Sequence, residues 1–363
     1  MVGKHDPGQV YFIHTIDQDS GKSHGYYKIG IVRNDRESAD RVKEHQTGNP
    51  HRIVPYKILS TKAPMLIESM LHAKYSKNQV STEWFKFDEK EIDDVIVEAE
   101  ELDAKYGDAV SKMSQHYRVT ATKPELVLTG DDLKKARDLQ QKAYDLEKEV
   151  KKHYFVMKEA QHELETLTDC HAQGIQGVSY IEIKGERHEF NLPKWWKKAS
   201  EDQKEKAGLL PKPDNDFTML YKIDSAYQKA TDGHWKAIHS KEEQAMQDAK
   251  KKVPKHKPED ITDSSHERTA DIEKLHKTYC DEKGKHDGKK KLLEAVTIQL
   301  MIMCGEHSGI KDICTWNRTQ KTEKKANLSL MKQHFGEDLE DKTFWTKTKA
   351  SATPKVHPFR PYV

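Results

Sequence analysis

The sequence predicts an α+β protein: a small αβ sandwich at the N-terminus, then a long helix, then a mainly helical C-terminal region. Three observations predict it. Short β-prone runs alternate with helical segments through residues 9–100. From residue 136 to 167, apolar side chains recur at alternating steps of three and four. Charged residues make up 34% of the chain against 35% hydrophobic, which is too polar for one compact globule and calls for long exposed helices or linkers.

The elements follow in order. Val10 to Ile16 is an apolar run bounded by Pro7-Gly8 and by Asp17-Gln18-Asp19-Ser20-Gly21, which reads as a strand and a turn. Tyr26 to Val32 is a second strand, so the pair makes a hairpin. Ser38 to Gln46 is helical and is stopped by Thr47-Gly48-Asn49-Pro50. Ile53 to Leu59 is a third strand. Pro64 opens a second helix, and Glu83-Trp84-Phe85-Lys86-Phe87 alternates as a last strand.

Within this unit several polar residues share helix faces. Arg41 and His45 are four apart, as are Glu68 and His72. Phosphodiester hydrolysis needs an activated water, a cation for the phosphate charge and support for the leaving oxygen. A tyrosine orients water, or acts as base once its pKa is pulled down from about 10. Arginine forks onto phosphate oxygens and keeps its charge. One carboxylate can hold Mg²⁺ (or Mn²⁺), with water and phosphate completing the octahedron. Tyr11, Arg41, His45 and Glu68 supply these groups. Taken singly, each has an ordinary structural role: a core tyrosine, a solvated Arg/His face, a surface glutamate. His72 reads equally as a second ligand or as helix packing under Trp84.

The set resembles the GIY-YIG nuclease superfamily, in its phage-type branch. The likeness rests on Tyr27-Lys28-Ile29-Gly30, on Arg41 followed by His45-Gln46-Thr47-Gly48-Asn49-Pro50, and on Glu68 to His72 with Glu83-Trp84-Phe85. It spans residues 9–100. It implies that Tyr11 stands for the first-motif tyrosine, Arg41 for the phosphate-stabilising arginine, Glu68 for the metal-binding glutamate and His45 for a group assisting the water. Val10-Tyr11-Phe12 replaces Gly-Ile-Tyr, so a family glycine is absent. Tyr27 and Lys28 are strand neighbours and cannot both face the site. Lys28 is preferred, as an electrostatic partner that lowers a tyrosine pKa or deprotonates water; which residue is the base stays open.

Beyond this unit, residues 101–125 read as a linker and 126–170 as a coiled-coil helix. Its seam is Ala136, Leu139, Ala143, Leu146, Val150, His153, Met157, Ala160, Leu164 and Leu167. Such a seam serves a homodimer, an intramolecular hairpin or a helix lying on the C-terminal domain. Residues 171–251 are mixed, with a strand at Val178–Lys184, a turn at Gly185–His188 and a return strand from Phe190 and Leu192. The Glu182-Ile183-Lys184 triplet has the E-x-K form of another nuclease core, but such a triplet arises by chance in a chain rich in both residues. Lys194-Trp195-Trp196-Lys197-Lys198 reads as a packed Trp pair rather than a base-stacking platform. Residues 252–265 are a connector. Residues 266–363 are a helical domain, with helices at Glu267–Tyr279 and Lys290–Met303 and a short strand at Ile313–Trp316. Asp232-Gly233-His234-Trp235, Gly305 to Ile310, Cys314 to Arg318 and Phe359-Arg360-Pro361 loosely resemble the tail of YqaJ-type viral recombination exonucleases. That likeness implies a DNA-related, phage-type context and carries no active-site residue.

Other classes are excluded or disfavoured. A net charge of +2 leaves DNA attraction to local patches. The four cysteines, Cys170, Cys280, Cys304 and Cys314, form no CxxC, which fits a reduced cytoplasmic setting. His276, Cys280, Cys304, His307 and Cys314 lack the paired spacing of a zinc site. No signal peptide or membrane span is predicted. The reading is a metal-dependent DNA endonuclease. The alternatives are a DNA-holding module without cleavage and an adaptor working through its coiled coil.

Overall fold

The structure, a computed structural model, describes residues 6–33, 38–46, 51–81, 83–116, 119–207, 211–322, 331 and 333–357. The helix stop at Thr47–Pro50 and the Phe359-Arg360-Pro361 segment lie outside the described residues.

Five antiparallel strands form the N-terminal sheet in the order β3-β1-β2-β5-β4. They are β1 (Gly8–Ile16), β2 (Ser23–Arg33), β3 (Arg52–Thr61), β4 (Gln79–Ser81) and β5 (Trp84–Lys86). The first hairpin is turned by Asp17. Its carboxylate accepts from the backbone N–H and hydroxyl of Ser20, and Gly21 supplies the positive φ that closes the turn. Helix α1 (Ser38–Gln46) lies over one face. Helices α2 (Pro64–Lys74) and α3 (Glu89–His116) lie on the other, α2 with a proline at its start and α3 with a reciprocal Asp88–Glu91 cap.

Strand alternation sorts the core. Val10, Phe12, Tyr27 and Ile29 face the α2 side with Leu66, Ile67, Leu71 and Phe85. Tyr11, Ile13 and Val32 face the α1 side with Ile53 and Val42. The linker expected over 101–125 is corrected in part, because α3 runs unbroken to His116. Its buried stripe of Ile92, Val95, Ala99, Leu102, Val110 and Met113 keeps it on the core past residue 100.

The C-terminal half is built on α4 (Gly130–Thr168) and α9 (Ala270–Cys304), which pack along each other, with α8 (Ser240–Lys252) also against α4. The two helices expected over 267–303 are one, running through Gly284 and Gly288. Seam residues Ala136, Ala143, Leu146, Met157, Ala160 and Leu164 are buried within this chain, and the seam histidine, His153, bonds Glu282 of α9 at 2.6 Å. The apolar seam is thus filled by intramolecular packing.

The strands of this half depart from expectation. β6 (Ser179–Lys184) does not pair with a return strand; it pairs with β14 (Ser351–Val356). β7 (Arg187–Phe190) pairs with β13 (Trp345–Thr348), and Leu192 begins helix α5 (Leu192–Lys198), capped by the Asn191 side chain. A three-stranded sheet joins β8 (Pro211–Met219), β12 (Cys314–Thr322) and β11 (Gly309–Ile310). Beyond Cys304 the region 266–363 is therefore mixed, with these strands and a short helix at Gly336–Glu340. Trp195 is buried and donates to Asp338 at 2.9 Å, so the Trp pair is packed. Glu182 and Lys184 pair with each other on the surface at 3.2 Å. His307 engages Pro124 O and Cys304 contacts Cys314. Among the described residues no group of three or more His, Cys, Asp or Glu gathers as a metal site, and no helix is long and apolar enough to cross a membrane.

One continuous core links the halves. Val296, Leu300, Met301 and Cys304 of α9 share a cluster with Leu66, Ile67 and Ile92 of the N-terminal unit. Helix α2 is thus clamped between its own sheet and α9, and this position builds the site.

Candidate active site

The β1–β2 register sets Tyr11 opposite Gly30 and Ile13 opposite Lys28. The phenol of Tyr11 lies across β2 at Gly30. A Cβ added there would sit 2.4 Å from Tyr11 Oη, so only glycine admits the ring. Tyr11 is 1% exposed. Its hydroxyl meets His45 Nε2 at 3.1 Å, and the Arg41 charge acts on the phenol. With Nε2 of His45 unprotonated, the phenol O–H donates to it. Both side chains come from one face of α1, as the four-residue spacing requires, and Val42 between them anchors that helix in the Tyr11 cluster. Arg41 itself bonds Glu44 one turn away.

Lys28 lies on the Tyr11 face, and Tyr27 on the opposite one. Tyr27 is fully buried, stacks on His14 and has a hydroxyl with no hydrogen-bond partner among the described residues. Lys28 is bonded to Glu83, in the turn between β4 and β5. That turn docks on β2 through Ile29 N–H to Glu83 O at 3.0 Å.

Glu68 and His72 extend from α2 at the far side of this point. Glu68 is 6% exposed. Its carboxylate faces the ammonium of Lys291, from α9, at 3.6 Å. A second tie between the same helices joins Ser69 Oγ to Glu294 Oε2 at 3.3 Å. His72 is buried, bonds Ile29 O through Nε2 at 3.1 Å and meets the Phe85 ring edge-on. It therefore packs α2 onto β2. Between the Glu83 turn, α2 and α9 lies a cleft of about 340 Å³, lined by His72, Gln79, Glu83, Lys290, Lys291 and Glu294.

Electrostatics follow from burial and neighbours. Burial, with the Glu83 charge, pushes the Tyr11 phenol up to about 12, against the pull of Arg41. Burial, with the Lys28 and Arg41 charges, lowers the His45 imidazolium below its ordinary value. Burial raises Glu68 to about 7 against the pull of Lys291, with Glu83 adding to the rise. Burial lowers His72 to about 4. For Glu83, burial pushes up, but the Lys28 bond and charge outweigh it and hold the group low.

The structure thus brings Tyr11 and His45 into direct hydrogen-bond contact, with the Arg41 charge acting on the same phenol. Lys28 joins through Glu83, whose charge reaches Tyr11, His45, Glu68 and His72. Glu68 acts electrostatically on Tyr11, but its contact is with Lys291. Two participants carried no role in the sequence reading. Glu83 was visible only as part of Glu83-Trp84-Phe85. Lys291 sits in the run Lys289-Lys290-Lys291, where nothing separates it from solvated lysines.

Chemically, the phenol–imidazole pair can move or direct a proton, the guanidinium can meet an oxyanion, and the buried carboxylate attracts a cation. A divalent ion would find one carboxylate ligand here. The carboxylate is a hard oxygen ligand, and the Lys291 ammonium already stands as a cation beside it. Glu68 would be its protein ligand, with water and phosphate oxygens completing the shell, as Mg²⁺ commonly accepts.

Comparison with known families adds one finding: residues 8–100 match the T5orf172 domain. The matched stretch holds Tyr11, Lys28, Arg41, His45, Glu68 and Glu83 but not Lys291. Searches of curated proteins and of solved structures gave no match.

Proposed function

We propose that the N-terminal unit is a GIY-YIG-type, metal-dependent endonuclease that hydrolyses DNA phosphodiester bonds. The observation that carries this reading is the hydrogen-bonded pair of Tyr11 and His45, with the Arg41 charge acting on the same phenol and the buried carboxylate of Glu68 on α2 reaching it electrostatically. The T5orf172 match supports it, because such domains occur in phage-type and in GIY-YIG- or HNH-like nucleases.

The roles follow from the protonation states. Tyr11 stays a phenol at neutral pH, so it orients the attacking water rather than serving as a standing phenolate. His45, held low, is uncharged at neutral pH and offers a lone pair to the phenol proton. As the water oxygen bonds phosphorus, its proton passes to the phenol oxygen and the phenol proton to His45 Nε2. The ester oxygen leaves with the P–O bonding pair and takes a proton from solvent. Arg41 has five N–H donors, enough to keep Glu44 and still meet a non-bridging phosphate oxygen. Lys28 keeps Glu83 ionised and helps keep His45 neutral. Bound at Glu68, Mg²⁺ or Mn²⁺ supplies Lewis-acid stabilisation of the phosphate charge.

The test is supercoiled plasmid with Mg²⁺ or Mn²⁺, comparing the full chain with Glu68→Gln. Nicking by the first and not the second is the expected result. DNA binding without nicking by either would favour a second reading, a DNA-holding module that does not cut. One observation favours that module: Lys291 rests on the carboxylate that the ion needs.

A further inference from the structure

We propose that Lys291 is a tethered competitor for the cation position at Glu68, so that α9 sets the metal affinity of the site. This rests on the metal-dependent reading above and adds a control to it.

The geometry is specific. Lys291 Nζ lies 3.6 Å from Glu68 Oε2, and Glu68 is almost wholly buried. A divalent ion on that carboxylate would sit at about 2.1 Å from the oxygen. Ion and ammonium would then be crowded within a few ångströms of each other, in a setting where burial leaves charge poorly screened. The two cannot share the carboxylate at ease. The Lys291 side chain has somewhere to go: it is about one-third exposed (34%) and lines the 340 Å³ cleft between α2, the Glu83 turn and α9. A lysine stem is flexible enough to swing there.

The helix that delivers Lys291 is firmly placed. α9 is fixed to α2 by the Ser69–Glu294 bond and by the shared apolar cluster, so the ammonium is returned to Glu68 whenever the ion leaves. The N-terminal unit holds the reactive groups, and a residue more than two hundred positions away in the chain holds the cation position. The device acts through Glu68, whose charge also reaches Tyr11.

Mn²⁺ binding to the full-length protein, followed by the EPR signal of free Mn²⁺, tests this without reference to turnover. Lys291→Met should bind Mn²⁺ roughly tenfold more tightly than the native chain, as expected for removal of a close like charge. Lys291→Arg, which keeps the charge, should remain near the native affinity, and Glu68→Gln should lose the site. Circular dichroism checks folding, and Lys291→Gln replaces Lys291→Met if the latter melts early. If removing the charge leaves affinity unchanged or weakened while Glu68→Gln abolishes binding, the competition is overturned and the metal reading stands. Equal tightening by Met and Arg also overturns it, since charge would then be irrelevant. Should no variant bind Mn²⁺, the metal reading falls and this inference falls with it.

Discussion

The two faces of the N-terminal sheet are made by the same strands and differ in almost every chemical respect. On the α2 side, Phe12, Tyr27, Ile29, Phe85 and Phe87 pack against aliphatic side chains, and even a tyrosine hydroxyl goes without a partner among the described residues. On the α1 side, Tyr11 is just as buried, yet its hydroxyl is bonded to His45 and feels the Arg41 charge. One strand period separates a face packed with aromatic rings from a face that carries the phenol–imidazole pair. Burial alone therefore does not mark a structural residue in this unit. What the hydroxyl meets does.

The contrast can be broken or sharpened by substitution. The largest effect should come from the packed face: Phe85→Ala removes a fully buried ring and should cost about 3–5 kcal/mol in urea unfolding. On the reactive face, Arg41→Ala should keep the fold and DNA affinity but lower the nicking rate on the order of 10²–10³-fold, the usual result of losing one charge-stabilising donor. Native-level turnover would remove Arg41 from the site.

His72 joins the faces by seating α2 on Ile29, and it predicts a pH dependence. Its folded pKa of about 4 lies below the ordinary value of 6.5. A depressed folded pKa means that the unfolded chain takes up the proton first. Stability from neutral His72 is then fully present above pH 6.5 and is lost as pH falls through 4. The loss amounts to about 3 kcal/mol over that window. His72→Gln keeps a donor for Ile29 O and does not titrate, so its stability should be flatter between pH 6.5 and 4 than that of the native chain. Equal slopes would remove His72 as the cause.

The smallest effect should separate the two tyrosines. Tyr27→Phe deletes a hydroxyl that has no partner among the described residues and should change stability by under about 1 kcal/mol, in either direction. Tyr11→Phe deletes the phenol bond to His45 and should lower nicking far more than it lowers stability. A large stability loss in Tyr27→Phe would show a hidden partner and erase the distinction.

Much of the N-terminal unit was legible because its signals are local. Asp17 to Gly21 encode a turn, Pro64 a helix start, and the four-residue spacing of Arg41 and His45 a shared face. Strand alternation separates Lys28 from Tyr27, and the structure puts Lys28 with Tyr11. What was not legible depends on distant chain. β6 and β7 have strand-like sequences, but their partners β14 and β13 lie more than 150 residues on, and no local pattern names a partner. The helix at Ala270–Cys304 carries two glycines where a break is the default expectation; packing against α4 overrides them. Glu83 and Lys291 gain meaning only from what folds beside them.

The order of Glu68 and Lys291 along the polypeptide has a consequence during synthesis. The carboxylate leaves the ribosome more than two hundred residues before the lysine that covers it. At about 5–20 residues per second, translation needs on the order of tens of seconds to close that gap. A nascent chain therefore displays a bare acidic group that the finished protein keeps under guard.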